Sequence, residues 1–327
     1  MDVQHHTQRD IVTKKLNENF NFNWYDDYII FNDKEYDYDV SQYNKISLCV
    51  FYKNDDNTII VDILSAIKYY YKLLHLDNLS AKNIFIYILL SDDQRETITK
   101  QYSDDEYITM YKSHMALHPS GLCLPLRKNS IEYYEIYGFR KKEIVKLILH
   151  ELIHASEKIP THLENNNISY SEKWYKLQLP YEGITEYISN ILYLCWADKI
   201  HLYNDELEYS IYMTASFLYY FGYRDYNIMD FFINGNNIIN DRFTNYVSYY
   251  VHRNLFYLNR DLIMDFILRI FENKEMIFDY DKFKANYDKY IKVYILDNSE
   301  YIIMLKNALK KIDTDNNNKL YLGFMKN

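Results

Sequence analysis

The stretch EIVKLILHELIHASEKIP, residues 143–160, holds two histidines four positions apart, with a glutamate directly after the first. Ile144, Val145, Leu147, Ile148, Leu149, Leu152 and Ile153 make an apolar stripe broad enough for a helix buried on most sides, and Pro160 stops it. On a helix, positions i and i+4 stack on one face, so His150 and His154 point the same way and their ring nitrogens can converge on one ion. Zinc accepts imidazole nitrogen at about 2.0–2.1 Å in a tetrahedral site. Glu151 follows the first histidine, where its carboxylate can reach water at such an ion without ligating it. The competing reading is a core helix that happens to hold two histidines. Two imidazoles on one apolar face each need a polar partner, however, and a shared metal satisfies both.

A zinc ion that does chemistry needs three protein ligands and an open position. A third histidine six residues after the second is excluded, because position 160 is Pro; position 157 is Glu, and His162 lies at the wrong spacing. A glutamate on a second helix is the other solution. LPYEGITEYISNILYLCW, residues 179–196, supplies one: Pro180 suits the first turn of a helix, and Glu182 and Glu186 lie at i and i+4 on one face. Either could be the ligand on spacing alone.

HELIH followed by EGITEY resembles the gluzincin group of zinc metallopeptidases, which includes thermolysin-like enzymes and zinc aminopeptidases. The run HELIHA also matches clostridial neurotoxin light chains, as the shared motif alone. The gluzincin resemblance implies Zn2+ as cofactor, His150, His154 and Glu182 as ligands, and Glu186 as the carboxylate that orients a ligating histidine. It implies hydrolysis of a peptide bond in a peptide or protein substrate, with Glu151 as general base. It places an edge strand antiparallel to bound peptide, and SGLCLPLR (120–127) stands in the right place, making Gly121, Leu122, Cys123 and Leu124 candidate substrate-binding positions. It also implies a Tyr or His donor to the developing oxyanion. NYVSYYVHRNLFY (245–257) offers Tyr246, Tyr249, Tyr250 and His252 among 38 tyrosines. Two alternatives stay open: a zinc hydrolase of a non-peptide amide, and a binding protein on a catalytically retired metalloprotease fold.

These residues need a scaffold. KISLCVFYK (45–53) and NIFIYILL (83–90) read as buried strands, with a helix over 58–76 between them. YITMYKS (107–113) and GLCLPLRK (121–128) read as two more strands, and residues 1–44 as irregular structure with one short strand. After Gly138 the pattern turns helical, over 140–158, 181–198, 205–221, 243–257, 260–273 and 299–311. The expected fold class is α+β and zincin-like: an N-terminal α/β lobe over 1–140 with a mixed or antiparallel twisted sheet, then the zinc helix and a mostly helical lobe over 141–327, with the cleft between.

The 327 residues are 48% hydrophobic and 25% charged, the balance of a chain that can bury a large core. A net charge of −9, without a dense basic stripe, argues against nucleic acid as partner. Cys49, Cys123 and Cys195 are odd in number and each sits in an apolar context, as buried free thiols do. The N-terminus lacks the apolar core of a secretory signal, and no apolar run approaches a membrane span, so the expected location is cytoplasmic, with no membrane partner. DTDNNNKLYLGF (313–324) begins like a calcium loop but has Asn318 and Phe324 where Gly and Glu are needed. His5 and His6 are adjacent terminal residues with no ligand spacing.

Overall fold

The computed structural model describes residues 37–52, 57–76, 82–90, 121–128, 131–139, 141, 143–156, 181–234, 251, 253–258 and 300–314. The chain divides into two compact units, with the main break after Ala155.

The first unit is built on a mixed five-stranded sheet of order β1-β2-β3-β5-β4. β1 (Asp37–Tyr43) and β2 (Ile46–Tyr52) form an antiparallel hairpin. Asn44 takes φ 51° in its two-residue loop, a left-handed conformation that such loops need and Asn tolerates. β2 and β3 (Asn83–Leu89) are parallel, and α1 (Asn57–Leu73) makes the crossover between them. β2 is buried on both faces, with Ile46, Leu48, Cys49, Val50 and Phe51 all in the core. β5 (Ile131–Phe139) runs parallel to β3, and β4 (Gly121–Lys128) pairs antiparallel to β5 as the outer strand. α2 (Ile144–Ala155) packs on β4, β5 and α1.

The α+β class holds, and the sheet is mixed. β5 was not anticipated. Its sequence IEYYEIYGF mixes charge with aromatics, yet Tyr134, Glu135, Ile136 and Tyr137 are all buried, so no polar-out alternation shows. Glu135 is tolerated there because the Tyr137 hydroxyl donates to it at 2.5 Å. The strand expected at 107–113 lies outside the described residues.

The second unit is helical among its described residues: α3 (Tyr181–Trp196), α4 (Tyr203–Tyr220), α5 (Ile228–Asn234), α6 (Arg253–Leu258) and α7 (Glu300–Thr314), with a 3-10 turn at Ile200–Leu202. α6 packs on α3 and α4, and α7 on α4. α5 was not anticipated; seven residues are too few to carry a helical period. Helix 260–273, and 243–250 of the helix expected at 243–257, lie outside the described residues. Among the described residues no helix is long and apolar enough to cross a membrane.

Candidate metal centre

α2 gathers its polar chemistry on one broad side, at i, i+3, i+4 and i+7 counted from Leu147. Leu147 and Glu151 lie at i and i+4, and so do His150 and His154, one residue out of step. The first pair faces β4: a methyl built on the Gly121 Cα would stand 2.7 Å from Leu147 Cδ1 and 3.0 Å from Glu151 Oε1. The second pair brings Nε2 of His150 and Nε2 of His154 to 3.0 Å. That is hydrogen-bonding distance; two nitrogens bound to one tetrahedral zinc stand about 3.3–3.4 Å apart, so the rings would part by a few tenths of an ångström to share an ion. His150 is 4% exposed and Glu151 6%, while His154 is half-buried.

Ligand atoms of His150, His154 and Glu182 all lie within 4.8 Å of one another. This donor set, two imidazoles and a carboxylate, suits a borderline ion such as zinc and leaves a position open. Glu182 stands in the first turn of α3 and Glu186 one turn later. Glu186 is buried and accepts from Nη1 of Arg253 at 3.2 Å. Arg253 also donates through Nε to Oγ of Ser210 at 2.7 Å. Asn254 continues the network: its Nδ2 donates to Oγ1 of Thr214 at 2.8 Å, and its Oδ1 accepts from the Ser210 hydroxyl. A carboxylate inside an apolar helical layer needs such partners.

Gly121 and Cys123 of β4 share the sheet face that carries Glu151. Burial pushes the Cys123 thiol well above its usual pKa, and the nearby Glu151 charge raises it further. Leu122 and Leu124 belong to the same strand. Tyr246, Tyr249, Tyr250 and His252 lie outside the described residues.

Arg253 went unnoticed in the sequence, although it was the one cation in YVHRNLFY and a buried cation needs an anion. Gly138 and Leu147 were also missed; their meaning depends on strand register. Comparison with protein-family models, curated proteins and solved structures found no match.

Proposed function

We propose that this chain is a zinc metallopeptidase of zincin-like fold, with His150, His154 and Glu182 as ligands and Glu151 as general base. The observation that carries the reading is the convergence of those three donor groups beside a buried glutamate. When bound, the metal supplies Lewis-acid polarisation of a carbonyl and lowers the pKa of water toward about 7.

The chain's own residues supply the rest. The Glu151 carboxylate accepts a proton from the attacking water as oxygen bonds to the carbonyl carbon. It then returns that proton to the leaving amine as the C–N bond breaks. The outer position of β4 supports an extended substrate, because one side of the strand has no strand neighbour among the described residues. Gly121, Leu122, Cys123 and Leu124 would then meet a peptide through main-chain hydrogen bonds. Glu186 is assigned to orienting the metal-binding groups, held in turn by Arg253.

A peptide library incubated with zinc-loaded wild type and with Glu151→Gln tests the reading. Cleavage by the wild type alone supports it. Zinc binding without cleavage of any peptide points to a non-peptide amide substrate or a retired binding fold.

A further inference from the structure

Gly121 of β4 and Gly138 of β5 are directly opposed across the sheet. Leu147 of α2 comes up against both Cβ positions, and Ile144 of the same helix against the second. A methyl on Gly121 would lie 2.7 Å from Leu147 Cδ1, and one on Gly138 would lie 3.2 Å from Leu147 Cδ2 and 2.9 Å from Ile144 Cδ1. The two methyls of Leu147 thus reach both places where β-carbons are missing, filling the one at Gly121 and sharing the one at Gly138 with Ile144. Glycine inside a strand weakens it and marks close approach by another element. Here that element is the helix carrying His150, Glu151 and His154.

Gly121 does a second thing that Gly138 does not. Its missing Cβ leaves the space beside Oε1 of Glu151, which such an atom would approach to 3.0 Å. Leu147 and Glu151 are one helical turn apart, so one glycine governs both contacts.

We propose that Gly121 and Gly138 form a notch that seats Leu147, and that Gly121 is a positioning residue for Glu151. The second half rests on the metallopeptidase reading; the first half does not. The notch sets the height of α2 above the sheet. Gly121 then holds the Glu151 carboxylate against β4, beside the strand assigned to substrate. A β-carbon at 121 would press on Glu151 and displace the base.

The test is a set of full-length variants measured for melting temperature, zinc content and steady-state kinetics. Gly121→Ala and Gly138→Ala should each lower Tm by about 3 °C or more through overpacking. Zinc content should be unchanged in both. Gly121→Ala should lose kcat by about 10–100-fold with KM little altered, because the base is misplaced. Gly138→Ala should lose far less kcat. In a Leu147→Ala background most of the Tm cost of Gly121→Ala should vanish, while the kcat loss should remain. In a Leu147→Ala/Glu151→Ala background that Tm cost should vanish entirely.

An undiminished Tm cost of Gly121→Ala in both backgrounds overturns the notch. Wild-type kcat in Gly121→Ala overturns the positioning role. A wild type that neither binds zinc nor cleaves peptide overturns the metallopeptidase reading, and the Tm comparisons still decide whether residue 121 contacts Leu147 and Glu151.

Discussion

Nη1 of Arg253 donates to Oε1 of Glu186 at 3.2 Å, with the two side chains only 8% and 4% exposed. The pair ties α6 to α3, the helix that carries Glu182 one turn earlier. Removing one partner takes the opposite charge away from a buried ion, at a cost of about 3–5 kcal/mol. Arg253→Met and Glu186→Ala should each destabilise the chain by that amount in denaturant unfolding, and the double variant by clearly less than the sum of the two.

Glu182 and Glu186 should separate in their effect on metal. Glu182→Ala is expected to abolish tight zinc binding. Glu186→Gln keeps an acceptor for Arg253, so the fold should persist while zinc affinity falls by about 10–100-fold. Parallel zinc titrations check this. If Glu186→Ala strips the metal while Glu182→Ala does less, the ligand has been assigned to the wrong carboxylate.

Glu151→Gln should keep the fold and the zinc while losing hydrolysis. The amide is nearly the same size but cannot accept a proton at neutral pH. Turnover above a few per cent of wild type would mean that Glu151 is not the base. Loss of metal would mean that a ligand had been mistaken for a base.

The sequence made the helix of residues 144–155 legible because its apolar stripe and its histidine spacing share one period. Strands β2, β3 and β4 and helices α1, α3, α4 and α7 were legible for the same reason: each has a single dominant period or an unbroken apolar run. The α+β order followed from them. β5 was hidden because Glu135 sits in its buried centre, where the Tyr137 hydroxyl donates to it. The place of β4 at the outside of the sheet was expected from the resemblance alone and not from the residues themselves, since strand order is decided by pairing across long sequence gaps. The spacing of His150 and His154 showed that they share a face, but nothing local announced that Leu147 would come up against the Cβ positions of two glycines. Arg253 is the same kind of case: its partner Glu186 lies 67 residues away.

Alkaline pH should loosen the first unit. Burial, and then the Asp39 charge, push the Cys49 thiol up from its ordinary 9.0 to about 12. The folded state therefore keeps its proton where the unfolded chain has lost it. This contribution is whole below about pH 9 and fades as pH rises toward about 12. Unfolding midpoints from pH 7 upward should fall in that window, and Cys49→Ala should flatten the decline. In alkylation at pH 8, the exposed Cys195 should react well before the buried Cys49.

Metal analysis of protein purified without added metal tests the central claim most directly. The wild type should carry a single zinc ion per chain, and a His154→Ala/Glu182→Ala variant, shown to be folded by its circular dichroism, should carry none. Equal zinc in the two proteins, or a folded wild type that binds none even when zinc is supplied, would contradict the assignment of His150, His154 and Glu182 as a metal centre.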